Sequence, residues 1–359
     1  MSQTAVEPTK DFKLSKSVIK WVAVGLLLSS SVVIIITIYS DVTLSDLASI
    51  GYLTFGLAAA ASVARLLVQI VRFRVITAGL TGDTKMNMSG LPIMRLSSEF
   101  ISISTPSSNT GVLLRTAWLS GKGVGGGTAL WIGYFEVLIN IYVDAGLALL
   151  AAGYAFFRGA VVLGSTIALI AVILIAGYSV IFIIPLVKVI KVPHSIYRIA
   201  AFLVGGPRAT TIYLRAVVGS LNFSLAARAI LKRDNLPLLL KTLALTFIED
   251  LCDGVALWLV LNAAGLKIDL FSTTIISYGV ITLSQIPITI GGAGLMELTM
   301  QAYLTAVYGF SSWAAIVLWR VTTYQVVLAT TGVAFLLFVR RATKHTEQVP
   351  GVEQHKNST

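Results

Sequence analysis

The chain has 359 residues, 56% hydrophobic and only 12% charged, with a net charge of +11 and a mean hydropathy of +0.86. Those values exclude an ordinary soluble domain, and several apolar runs exceed the length needed to cross hydrocarbon, so the expected class is an all-α polytopic membrane protein. The basic excess is read as cytoplasmic loops drawn to anionic lipid, with no nucleic-acid partner.

In chain order, residues 1–16 are polar, carry Lys10, Lys13 and Lys16, and read as a cytoplasmic tail. Residues 17–39 form a first span, too long for a signal-peptide core and followed by no small-residue cleavage site. Asp41 and Asp46 mark a short external loop. Residues 47–71 return inward to Arg72 and Arg74, and Arg65 lies near enough to that end to be read as snorkelling. Lys85 and Arg95 are expected to keep the next connection cytoplasmic. Two short arms, 93–104 and 112–120, flank a break at 105–111; neither crosses comfortably, so a re-entrant hairpin from the cytoplasmic face is expected, closed by Lys122. The glycine run at 123–127 lacks the Gly-Lys-Ser/Thr ending of a phosphate loop.

Residues 128–157 form span three, running outward to Arg158, and 161–186 form span four. Residues 188–241 interleave basic side chains, from Lys188 to Lys241, with Ile, Leu and Val, which predicts interfacial helices on the cytoplasmic side. Tyr197 and Tyr213 suit headgroup level there. Residues 238–261 form span five, outward to Lys267 and Asp269. Arms 270–286 and 292–308 make a second hairpin. Residues 311–339 are the last span, ending at Arg340, Arg341 and Lys344, before a polar tail. In domain terms there is a tail (1–16), one membrane domain (17–340; halves 17–157 and 161–340, basic linker 188–237) and a second tail (341–359). Cys252 is the single cysteine, so no intrachain disulfide is possible. The scattered His194, His345 and His355 predict no metal site, and no cofactor is expected.

This gives about six full spans plus two re-entrant hairpins, both termini cytoplasmic, in a multi-pass protein of the cell membrane. Only Arg158 and Lys267 remain outside, and the two halves come out opposite in orientation, an inverted repeat. The breaks share a spacing, Pro106 to Gly111 and Pro287 to Gly292. Glu136 and Arg320 each lie about 12 Å into their spans by helical rise. The pairs Arg115–Glu136 and Glu297–Arg320 are therefore predicted, with signs exchanged; the alternative is that each charge pairs locally or faces water. Asp144, Glu249, Asp250 and Asp253 add acids near mid-membrane, a possible polar path for a headgroup or for protons.

The most unusual stretch is 285–297. Pro287, Gly291, Gly292 and Gly294 break an apolar segment that also carries Glu297. A half-helix restarting near Gly292 would aim its N–H groups at an anionic group; the plainer reading is a kinked helix with close glycine contacts. On the first reading, bulk at Gly292 blocks a ligand before it disturbs the fold, and Gly294→Ala is mild.

Pro287, Gly291-Gly292-Ala293-Gly294 and Glu297 resemble the signature of the flippase-like, lysylphosphatidylglycerol synthase transmembrane family. Arg320 falls where that family often carries an arginine. Thr105-Pro106 through Gly111 and Arg115 to Leu119 is similar to its other motif. The resemblance covers roughly residues 50–340. It departs at Val112, where an acid is common, and around 140–144, where many members carry a glutamate-arginine pair before the aspartate.

The resemblance implies a transporter that moves a lipid with a polar or anionic head between leaflets, such as an aminoacylated phospholipid or a lipid-linked sugar. Its partners would be membrane lipids; the oligomeric state is not legible. The substrate-contact candidates are Pro106, Gly111, Arg115, Glu136, Pro287, Gly291, Gly292, Gly294, Glu297 and Arg320. Only residues 345–359 follow the last basic cluster, so the soluble aminoacyl-transferase domain of some relatives is not expected, nor is enzyme activity. The alternative is a membrane-embedded enzyme acting on a lipid phosphate through Glu249, Asp250 and Asp253, which lack a histidine or a second acidic motif.

Overall fold

The computed structural model describes residues 38–347 apart from 83–85, 106–108, 231 and 286–289, with scattered positions from 27 to 35. The tail 1–16, most of span one, Pro106 and Pro287 thus lie outside the described residues.

Every described element is helical. Helix α1 (Leu44–Ile50) starts at Thr43, whose hydroxyl accepts from the Asp46 N–H while the Asp46 carboxylate accepts from the Thr43 N–H. Gly51, at φ 99°, separates it from α2 (Tyr52–Thr81), which ends in a left-handed glycine, Gly82. The chain continues as α3 (Leu91–Ile103), α4 (Gly111–Gly121), α5 (Gly126–Phe157), α6 (Val161–Val187), α7 (His194–Val204) and α8 (Gly206–Ile230). Then come α9 (Leu236–Ala263), α10 (Leu270–Ser284), a 3-10 turn at Ile290–Gly292, α11 (Leu295–Tyr308) and α12 (Trp313–Arg320). A π-helical turn, Val321–Gln325, joins α12 to α13 (Val326–Glu347). Asp269 caps α10 from outside the apolar segment, where the Ser272 hydroxyl and N–H hold its carboxyl below the usual range.

Helices α2, α5, α6 and the continuous run Trp313–Arg341 are long and apolar enough to cross a membrane. Helix α9 matches them in length at 28 residues but carries three acids. The protein is an all-α polytopic membrane protein with at least four such helices.

Several boundaries differ from expectation: the span read over 47–71 is broken at Gly51 into α1 and α2, and α13 runs on to Glu347 rather than ending at 339. Helix α2 does not end at Val71; it runs on to Thr81 because Arg72 is fully buried against carboxylates of other helices. Arg65 and Arg95 likewise point into the protein rather than snorkelling or marking a loop. Helix α11 restarts at Leu295, not near Gly292, since Gly291, Gly292 and Gly294 all take positive φ and none continues a helix. The basic linker folds as α7 and α8. Helix α8 buries Phe223, Ala227 and Ile230 against the bundle, while α7 leaves Ile199 and Phe202 exposed, as an interfacial helix does.

Helix α2 packs along α9, and α5 is the hub, touching α4, α6, α8 and α10. Alanines 148, 151 and 152 let α5 approach α10 closely; a Cβ on Gly279 of α10 would come within 2.8 Å of the Ala151 methyl. The short helices cross over. Helix α4 lies on α5 and α11 on α12, whereas α3 lies on α13 and α10 on α5. Helices α3 and α10 therefore each lean on a long helix remote in sequence, α13 and α5. Helix α6 keeps Val162, Leu169 and Ile173 exposed on an apolar surface.

Candidate functional site

The site begins with a stripe. Arg65, Gln69 and Arg72 recur at i, i+4 and i+7, one face of α2. Thr246, Glu249 and Asp253 make the matching stripe on α9. Arg65 meets Asp253 at 3.3 Å, Gln69 donates to Glu249 at 2.6 Å, and Arg72 donates to Thr246 at 2.8 Å. Ascending numbers on one helix meet descending numbers on the other, so α2 and α9 run antiparallel, zipped by polar groups.

Helix α5 adds Glu136, which is 1% exposed. Three guanidinium groups converge on it: Arg72 at 3.2 Å, Arg95 at 3.1 Å, and Arg115. Arg72 also pairs with Glu249 at 2.7 Å and donates to Asn140. Arg95 reaches Glu99 at 3.0 Å, and Arg65 reaches Glu99 at 3.8 Å. The result is one connected network across α2, α3, α4, α5 and α9. Buried charges survive only when paired in this way, because desolvation costs several kcal/mol per ion.

A second, smaller assembly holds the glycine turn. The Arg320 Nε donates to Glu297 at 2.6 Å and its Nη2 to the Gly291 carbonyl at 2.8 Å. The other Glu297 oxygen accepts from the Gly294 N–H at 2.7 Å. The Arg320 guanidinium lies 4.6 Å over the Tyr324 ring, and the Tyr324 hydroxyl donates to the Ile103 carbonyl at 3.1 Å. Both ion pairs foreseen from spacing, Arg115–Glu136 and Glu297–Arg320, are present. The first belongs to a wide network and the second closes a turn.

Between the two assemblies is a cavity of about 220 Å³. Arg115, Asp144, Glu249, Asp250, Asp253, Gly291, Gly292 and Arg320 line it. Glu136, Gly294 and Glu297 stand behind its wall, orienting arginines or closing the turn. Gly111 is elsewhere: its N–H donates to Ser102 at 3.1 Å, and a Cβ would strike the Ser98 carbonyl, so it lets α3 and α4 touch. The expectations for the signature glycines change. A Cβ on Gly292 would fall 2.6 Å from that of Ser284 in a left-handed backbone, so bulk there disturbs the fold directly. Gly294 lies at φ 86°, so alanine is strained at that position and helix propensity does not make it mild. The N–H of Gly294 is already taken by Glu297.

Sequence reasoning missed Arg65, Gln69, Arg72, Arg95 and Glu99. The available signal was the 65, 69, 72 spacing, which matches the acids of α9 in reverse.

A family model described as the lysylphosphatidylglycerol synthase TM region matches residues 22–331. No curated protein and no solved structure matches the chain.

Proposed function

We propose that this chain, which belongs to the lysylphosphatidylglycerol synthase transmembrane family, carries a lipid with a polar or anionic head between leaflets. The lipid would be an aminoacylated phospholipid or a lipid-linked sugar. The observation that carries this reading is the charged cavity, lined by Gly291 and Gly292 of one break and by Thr105 and Asn109 beside the other. At about 220 Å³ it is smaller than typical ligand pockets and suits a headgroup rather than acyl chains, which would stay against exposed apolar helices. The matched model covers the family's transmembrane region, which favours lipid handling without chemistry. The rival, an enzyme acting on a lipid phosphate, needs Glu249, Asp250 and Asp253 free. Glu249 and Asp253 are instead held by Arg72, Gln69 and Arg65.

The test is leaflet exchange in proteoliposomes, using fluorescent aminoacylated and glycosylated lipids in the outer leaflet. Faster loss to the inner leaflet than in protein-free vesicles is expected for one class. Rates no faster than in protein-free vesicles for both classes, with folded protein, would overturn the proposal.

The finer architecture belongs to the same proposal: six spans, two re-entrant helix pairs in an inverted repeat, and both termini cytoplasmic. Three features support it, namely the crossing-over of first arms, the sign-exchanged ion pairs, and the Lys/Arg bias. In a Cys252→Ala background, Ser107→Cys should react with impermeant thiol reagents from the cytoplasmic side and Thr289→Cys from outside. Both positions lie outside the described residues. Labelling of the two from one face would remove the inverted repeat.

A further inference from the structure

The buried network is unbalanced. Arg65, Arg72, Arg95 and Arg115 face six acids: Glu99, Glu136, Asp144, Glu249, Asp250 and Asp253. Each arginine forms an ion pair, and Glu99, Glu136, Glu249 and Asp253 each contact at least one of them. Asp144 and Asp250 are left over. Neither has an ion pair among the described residues, and both line the cavity. Asp250 is 2% exposed, and its Oδ2 is buried with no hydrogen-bond partner.

Asp144 is half-buried on the same cavity; two surplus carboxylates there repel each other, and Asp250 pays desolvation without compensation. A position with that deficit binds positive charge. The fixed arginines are committed elsewhere, and among the described residues no three acidic, histidine or cysteine side chains are gathered to hold a metal ion. The Tyr278 hydroxyl stands beside two acids of α9, donating to Asp253 at 3.3 Å and adjoining Asp250.

We propose that Asp144 and Asp250 form a proton-binding site, at which one proton is shared between the two carboxyls in the cavity. The charged or titratable groups around it are Arg65 and Arg72 from α2, Arg95 and Glu99 from α3, Arg115 from α4 and Glu136 from α5. Glu249, Cys252 and Asp253 belong to α9 itself, Tyr278 to α10, Arg320 to α12 and Tyr324 to the π turn. A proton taken from one side of the membrane and given to the other would drive the headgroup through the same cavity. That coupling step rests on the lipid-transport reading; the proton site does not.

The experiment therefore has two arms on the full chain. In detergent without added lipid, infrared spectroscopy at neutral pH should show a protonated-carboxyl band that Asp144→Asn and Asp250→Asn each remove. Absence of that band from the parent protein overturns the site, whatever the variants do. In proteoliposomes, a one-unit pH gradient should change the steady-state leaflet ratio of the lipid by up to about tenfold per proton carried. Exchange that ignores the pH gradient, or answers only to a sodium gradient, overturns the coupling while the lipid reading stands. So does exchange confined to amine-bearing lipids and indifferent to pH, since the amine then supplies the charge. A band that behaves as expected with no lipid exchanged upholds the proton site and ends the lipid reading.

Discussion

Glu136→Gln is expected to yield almost no folded protein. Glutamine keeps the shape but leaves Arg72, Arg95 and Arg115 around a neutral amide. Stranding one charge of a buried pair costs about 3–5 kcal/mol, and here three lose a shared partner. A domain's whole stability is about 5–15 kcal/mol, so the change consumes much or all of it. Arg115→Gln should be milder, because Glu136 retains two guanidinium groups. Arg72→Gln should fall between, since it also abandons Glu249. The measurement is the monodisperse fraction after detergent extraction together with the thermal midpoint. A Glu136→Gln protein as stable as the parent would show that the arginines find water or other acids, and the network would lose its structural meaning.

Arg320→Gln and Glu297→Gln should each sharply reduce transport per folded molecule, and the reciprocal swap Glu297→Arg with Arg320→Glu should not restore it. Spacing alone leads one to expect partial recovery from the swap, because charge is conserved. The geometry removes that expectation. Glu297 accepts from the Gly294 N–H as well as from Arg320, and Arg320 donates to the Gly291 carbonyl. Arginine at 297 cannot accept from an N–H, and glutamate at 320 cannot donate to a carbonyl. A swap that recovers parental exchange rates would reduce the assembly to a simple ion pair. In a double-mutant cycle the two glutamine changes should fall well short of additive, since each already opens the turn.

The helices were largely legible, because apolar run length decides them. Helices α5, α6 and α9 begin and end within two residues of the sequence expectation. So was the pairing of Arg115 with Glu136 and of Glu297 with Arg320, which follows from two short arms each packed on the next long helix. Arg65, Arg72 and Arg95 were not legible as buried. A basic residue near the end of an apolar run looks the same whether it snorkels or meets a partner far along the chain. Arg65 meets Asp253 188 positions away and Arg72 meets Thr246 174 away, both on α9, while Arg95 reaches Glu136 on α5, 41 away. The backbone of the glycine stretch was half legible. Three glycines announced a break, but only the positive φ values say that side chains are excluded there on conformational grounds.

Arg320 and Tyr324 sit one turn apart on the last long helix, and each grips a carbonyl from a different helix pair, Gly291 and Ile103. Their own cation–π contact, 4.6 Å from guanidinium carbon to ring centre, joins the two grips. In mechanical terms this helix is a spindle with two pawls on it. A rotation of it that strains the hold on the Gly291 carbonyl would also shift the tyrosine relative to Ile103, so both holds load the same part.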